Sequence, residues 1–178
     1  LFSLLDTCMT GMGSRLLKNW LLSPRRDRRE AQQRLDAIAA LQKGPWAMLR
    51  EHLKGSTDVE RITARIALRQ VRPRELVALQ LTLQKTELLT PVLQGLEAYL
   101  AQISDHLLPP AGCGELLRSA IDLEPAVLVR DGGVIADGFD ADLDELRAIQ
   151  TNCAAFLLAL EGRAKARTGI ANPRAQSN

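Results

Sequence analysis

The feature that most constrains the fold is a segment from Asp140 to Arg167 that contains no proline and a single glycine, Gly162. A continuous helix of roughly 28 residues would be about 42 Å long at 1.5 Å per residue. Its apolar residues alternate by three and four positions, as in a coiled-coil seam, and only Gln150 breaks the series. This seam consists of Leu143, Leu146, Cys153, Leu157, Leu160 and Ala164. We therefore expect one long helix that extends beyond the rest of the chain and whose partner helix lies outside it.

Composition points to an all-α fold. Only 3% of the 178 residues are aromatic, and Leu, Ala and Arg dominate, which favours helix packing over a β-sandwich. With 46% apolar residues, the chain can bury the core of one domain or of a large domain fragment. We predict a helical bundle with the long helix projecting from it.

Caps and helix breakers divide the first 121 residues into short helices. Thr10 is suited to cap a helix that runs to about Leu22 and ends at Ser23-Pro24. Asp27, followed three residues later by Glu30, resembles a capping box and predicts a second helix that ends at Gly44-Pro45. Further breaks, including Thr90-Pro91, predict helices at 46–54, 57–70, 73–89, 91–107 and 115–121.

The stretch RDGGVIADGFDADLDELR, residues 130–147, is rich in carboxylates and glycines. Asp140, Asp142 and Asp144 fit the first three ligand positions of a calcium-binding EF-hand loop, but Glu145 and Thr151 occupy the positions that need Gly and Glu. A phosphate loop is disfavoured because the neighbouring acids would repel phosphate. We predict instead two short strands, VLV and VI, joined in a hairpin by a turn at Asp131-Gly132-Gly133, with the acids in the first turns of the long helix.

Charge is distributed unevenly, with 15 Lys and Arg against 8 Asp and Glu in residues 1–80, and 8 against 13 in residues 81–178. Arg25, Arg26, Arg28 and Arg29 are candidate contacts to a DNA backbone, although a salt-bridged surface is the simpler interpretation. The GMGSR stretch, residues 11–15, lacks the context of a phosphate loop, so its glycines more simply permit close helix packing.

The sequence contains few residues in patterns typical of catalytic or metal-binding sites. His52 and His106 have no ligands at metal-binding spacing, and Cys8, Cys113 and Cys153 form neither a disulfide framework nor a zinc clip. We therefore predict no catalytic, cofactor or metal site, and a reducing cytoplasm as the setting. No segment is apolar enough to span a membrane, and a chain that starts on Leu looks excised from a longer protein.

Four segments, taken in order, resemble the DNA mismatch-repair ATPase family MutS. They are LLDTCMTGMGSRLLKNWLLSP, DVERITARIALRQVRPRELVAL, VLVRDGGVIADGFDADLDELR and RAKARTGI. The resemblance implies a helical core at 1–138, a first lever helix at 139–168 and the approach to the DNA clamp at 169–178. The tail NPRAQSN departs from the family pattern, which would begin an apolar clamp strand there.

The resemblance also implies the partners of the parent protein. These are mismatched duplex DNA, the clamp and ATPase domains of the same chain, a second copy in a homodimer and a MutL-type repair protein. ATP and Mg²⁺ would bind the ATPase domain, whose Walker A motif this chain lacks. The parent would be cytoplasmic and associated with the nucleoid. The alternative function is an autonomous helical module that binds nucleic acid through its basic first half.

Overall fold

The computed structural model describes residues 2–168. They form nine α-helices and one 3-10 turn, at Val129–Asp131. The helices are α1 (Phe2–Leu5), α2 (Gly11–Leu22), α3 (Arg28–Lys43), α4 (Trp46–Leu53), α5 (Val59–Ala67), α6 (Pro73–Gln94), α7 (Ala98–Leu107), α8 (Cys113–Ala120) and α9 (Ala141–Thr168). The predicted all-α class is confirmed, whereas the predicted tail at 169–178 lies outside the described residues.

The chain divides into two compact units, Leu1–Ala136 and Asp137–Asn178. A single cluster of buried side chains in the first unit joins α3, α4, α6 and α7. Its members are Ala37, Leu49, Leu89, Leu93 and Leu100. In the second unit, α9 runs through 28 residues, so the predicted long helix is confirmed.

Both predicted N-caps are present. The Thr10 hydroxyl accepts a hydrogen bond from the Gly13 N–H at 3.1 Å, and the Asp27 carboxylate accepts one from the Arg29 N–H at 2.9 Å. Each cap satisfies a backbone donor that the first turn leaves unpaired. The side chain of Glu30 pairs with Arg25 and Arg34. Asp27 therefore caps α3 as predicted, but Glu30 does not complete a capping box.

The predicted break at Thr90-Pro91 is wrong, because α6 continues through Pro91 to Gln94. Proline removes one backbone donor from a helix interior, at a local cost of about 3 kcal/mol. The exposed Pro91 ring is tolerated because Leu89, Thr90 and Leu93 are buried on either side of it. Helix α6 instead ends at Gln94, with Gly95 as its C-cap residue. Helix α7 begins shortly afterwards, where the Glu97 carboxylate accepts a hydrogen bond from the Tyr99 N–H at 3.1 Å.

The predicted hairpin is also wrong. The VLV segment does not pair with VI, and the structure contains no strand between residues 2 and 168. Ile135 instead forms an isolated antiparallel bridge with Ile121, just after α8. The chain does turn where predicted, with Gly132 and Gly133 at positive φ. The local pattern therefore identified the turn, but tertiary packing selected the pairing partner.

Candidate interaction surfaces

The four candidate arginines lie together in the loop after α2 and in the first turn of α3, and all four are exposed. Arg25 lies 3.5 Å from a Glu30 carboxylate oxygen, and Arg29 lies 3.4 Å from one of Asp27. Among residues 2–168, Arg26 and Arg28 have no carboxylate within ion-pair distance. The predicted cluster thus separates into two paired arginines and two that are available to an external anion.

Beside this cluster lies a pocket of about 280 Å³ that is lined by Trp20, Arg25 and Arg34, among others. The Arg34 guanidinium stacks on the Trp20 ring, 3.8 Å from its centroid, and also pairs with Glu30. A guanidinium above an aromatic face is stabilised by the ring quadrupole. The sequence analysis identified neither the stacking of Arg34 on Trp20 nor the Glu30–Arg34 ion pair. The ion pair could have been predicted, because the two residues stand at the i, i+4 spacing of a helical ion pair.

The GMGSR stretch forms the first turn of α2 and the contact that fastens it to α5. The Arg15 guanidinium donates to Asp58 at 2.6 and 2.9 Å and also to Glu60. These hydrogen bonds hold the pKa of the Asp58 carboxyl below its ordinary value. A β-carbon at Gly13 would lie 3.2 Å from the Thr10 hydroxyl and 3.3 Å from Cys8, so this glycine permits a close approach to the capping loop.

The carboxylates around residue 140 organise the start of α9. Asp140 accepts a hydrogen bond from the Leu143 N–H at 2.9 Å, and Asp144 accepts one from the Gly138 N–H at 2.8 Å. Arg147 lies 2.7 Å from Asp137 and 3.3 Å from Asp144. Within the described part of the chain, no group of three or more His, Cys, Asp or Glu side chains could hold a metal ion.

His52 lies in the last turn of α4 and His106 in the last turn of α7, while the three cysteines are free thiols. No helix of the described residues is both long enough and apolar enough to cross a membrane.

The predicted seam of α9 lies largely at the surface. Leu146, Leu157 and Leu160 are 63%, 51% and 46% exposed, and Cys153 is exposed as well. Leu143 is half-buried, and the Ala164 side chain lies outside the described residues.

A second apolar surface is a pocket of about 380 Å³ among α3, α4, α6 and α7. Its floor consists of Leu49, Leu89 and Leu93, which belong to the buried core. Its edge carries Trp46 and Leu53, which are 51% and 39% exposed. The sequence analysis did not identify this pocket, because its walls come from two helix pairs, α3 with α4 and α6 with α7, that are separated in the chain.

Together these features define an all-helical protein with no metal cluster among its described residues and with apolar side chains exposed at its surface. Side-chain hydrogen bonds cap its helices, the Arg15 ion pair joins α2 to the start of α5, and apolar side chains are exposed along α9 and at the rim of the apolar pocket. Residues 1–171 match the family described as MutS domain III. The chain therefore belongs to the MutS domain III family, and its role lies in DNA mismatch repair.

Proposed function

We propose that this chain is the core-and-lever segment of a MutS-type mismatch-repair ATPase. In this proposal, α9 is the lever that couples the nucleotide state of an ATPase domain to a clamp on mismatched DNA. The observation that carries it is the continuous 28-residue α9 in a MutS domain III chain, with an apolar seam left exposed for a partner helix.

A helix transmits a displacement over tens of ångströms only while its backbone hydrogen bonds are continuous. Coupling of this kind also needs an element with two arrangements that both of its ends influence. A break within α9 should therefore uncouple the nucleotide site from the clamp without altering either one directly.

The test is Ala155→Pro in the full-length protein. Proline removes a backbone donor and clashes with the preceding turn, at a local cost of about 3 kcal/mol or more. Ala155 is exposed, so Ala155→Gln is a matched control that keeps the helix intact. We expect nucleotide binding and mismatch binding to survive in both variants, and ATP-driven release from mismatched DNA to be impaired only in Ala155→Pro.

Release is measured by the dissociation of labelled mismatched duplexes with free or blocked ends after ATP is added. Unchanged ATP-driven release in Ala155→Pro would show that α9 is not the lever. Equal impairment in Ala155→Gln would show that position 155 matters for its side chain rather than for helix continuity.

We assign the remaining functions of a MutS-type protein to parts of the full-length protein outside this chain. ATP and Mg²⁺ would bind its ATPase domain, and the clamp, the homodimer contact and the MutL-type partner would complete the assembly. We expect the 178-residue chain to hydrolyse no nucleotide by itself. Phosphate release above the buffer rate would contradict this.

A second candidate function, autonomous nucleic-acid binding, is favoured by the exposed and unpaired Arg26 and Arg28. Duplex titration of the 178-residue chain over a range of salt concentrations tests it. Autonomous binding predicts at least micromolar affinity at physiological salt. It also predicts that each lost phosphate contact lowers, by about 0.9, the magnitude of the slope of the log binding constant against the log salt concentration. Arg26→Gln and Arg28→Gln should then weaken binding, whereas Arg130→Gln, at an exposed and paired site, should not. The lever proposal predicts little or no binding by any of these chains.

A further inference from the structure

The pocket beside the arginine cluster is formed by α2, the loop that follows it and α3. Its wall is mostly polar, and none of the described residues that line it is acidic. The polar side chains in its lining are those of Asn19, Ser23, Arg25 and Arg34. Between residues 2 and 168, the Asn19 amide and the Ser23 hydroxyl have no hydrogen-bond partner. Both groups are therefore free to donate a hydrogen bond to a ligand.

The Arg34 guanidinium is held in place before any ligand arrives. It stacks on the Trp20 ring and pairs with Glu30, and only 26% of its side chain is exposed. A guanidinium carries five N–H donors, and the hydrogen bond to Glu30 uses Nη2 alone. Its Nε is buried without an acceptor in the described part of the chain. Arg34 thus offers a fixed positive charge with donors that its own neighbours leave unused.

Positive charge around the pocket exceeds what the nearby carboxylates neutralise. Residues 25–34 contain five arginines and two carboxylates. Glu30 is shared between Arg25 and Arg34, and its contact with Arg25 is 3.5 Å long, with 76% of the Arg25 side chain exposed. An exposed pair of this kind is weakly held, so Arg25 can turn from Glu30 to an external anion. A phosphate group suits this surplus better than a carboxylate, because it carries more negative charge and more acceptor oxygens.

We propose that this pocket binds the phosphate group of a phosphate ester. The guanidiniums of Arg25 and Arg34, the Asn19 amide and the Ser23 hydroxyl donate to its oxygens. A volume of about 280 Å³ lies just below the range of pockets for drug-sized ligands, so it suits one such group. The proposal does not depend on the lever function of α9. It rests on the second candidate function only where the phosphate belongs to a nucleic acid.

The probe is inorganic phosphate, added to the 178-residue chain with the substitution Trp46→Phe, which leaves Trp20 as its only tryptophan. Sodium chloride at the same ionic strength is the reference, because it screens charge equally well. The fluorescence of Trp20 reports on the site, since Arg34 lies against its ring. We expect a saturable change in Trp20 emission with a Kd of roughly 1 mM for phosphate, and no saturable change with chloride.

Arg25→Gln should weaken phosphate binding about fivefold, as expected for loss of one exposed charge-assisted contact. Arg29→Gln is the matched control. It removes the same charge from the same cluster, but Arg29 pairs with Asp27, is 92% exposed and does not line the pocket. Its effect on the Kd should be less than about twofold. Far-UV circular dichroism and urea unfolding confirm that each variant is folded.

A short DNA duplex distinguishes the two sources of a phosphate group. If the duplex competes with phosphate and its own binding is weakened by Arg25→Gln but not by Arg29→Gln, the pocket holds a nucleic-acid phosphate. If phosphate binds but the duplex does not, the ligand is a small phosphate ester. In that case the phosphate site stands, while autonomous nucleic-acid binding is rejected.

Two outcomes would overturn the proposal. The first is that phosphate and chloride change the Trp20 emission alike, since the arginines would then form only a screened surface. The second is that Arg25→Gln and Arg29→Gln weaken phosphate binding equally, because the whole cluster and not the pocket would then attract the anion. Neither outcome bears on ATP-driven DNA release, so the lever proposal is tested separately.

Discussion

At the scale of single residues, several charged side chains hold helices in place. Arg15 joins α2 to the start of α5, Glu30 forms ion pairs with both Arg25 and Arg34, and Asp140 caps α9. Helix α2 has an exposed apolar face, including Leu16 and Trp20 at 49% and 40%. Its attachment therefore depends on polar contacts more than on buried area.

The Arg15 contact predicts a specific pH dependence. Arg15 lowers the pKa of Asp58, so the stabilisation is present above the unfolded pKa of about 3.9 and is lost as the pH falls through the lower folded value. Arg15→Gln should lower the urea midpoint at pH 7, and the difference from the wild type should shrink below about pH 4.

Arg61→Gln is the control for this experiment. Arg61 also faces Asp58, but at 3.9 Å and with 79% of its side chain exposed, so its pair should contribute little. An Arg15→Gln midpoint difference that persists unchanged to pH 2 would show that the contact stabilises α2 through packing and not through charge.

At the scale of helices, prolines illustrate how position decides the effect of a residue. Pro73 occupies the first turn of α6, where no intrahelical donor is needed and its φ suits the helix. Pro91 lies inside the same helix and leaves a carbonyl of the preceding turn without its N–H partner. The two residues belong to one helix but should have opposite effects on stability.

We expect Pro91→Ala to increase the free energy of unfolding by about 1–3 kcal/mol, because it restores a backbone donor on an exposed face. Pro73→Ala should decrease it by about 1 kcal/mol, through greater freedom of the unfolded chain and loss of a buried ring. Urea unfolding monitored by circular dichroism measures both. Destabilisation by Pro91→Ala would mean that the Pro91 ring makes a favourable contact that its exposure conceals.

At the scale of the whole molecule, the buried core cluster lies entirely within Leu1–Ala136. We therefore expect a chain of residues 1–136 to unfold cooperatively in urea. In that chain, Leu89→Ala should cost about 2–4 kcal/mol, because Leu89 is 4% exposed and its truncation leaves a cavity. Leu88→Ala, at the adjacent 57% exposed position, should change stability by less than about 0.5 kcal/mol. Gradual unfolding of residues 1–136, or equal effects of the two substitutions, would contradict this division.

Local sequence rules determined most of the helices. Thr10 and Asp27 cap helices because their short side chains reach the backbone donors of the next turn, an interaction that needs no distant residue. The continuity of α9 follows from the absence of proline over Asp140–Arg167, and the turn at Gly132 follows from the ease with which glycine adopts positive φ. The order of motifs was also sufficient to indicate the MutS resemblance, which the family match confirms.

Tertiary structure decided whatever depends on contacts between distant residues. The passage of α6 through Pro91 required burial of Leu89 and Leu93, and the pairing of Ile135 with Ile121 could not be inferred from the nearby VLV segment. The four arginines were visible in the sequence, but only the folded chain distinguishes Arg26 and Arg28 from the paired Arg25 and Arg29. The apolar pocket is built from two helix pairs, α3 with α4 and α6 with α7, that are separated in the chain. Periodicity reports which face of a helix is apolar, whereas the neighbours of that face are set by packing.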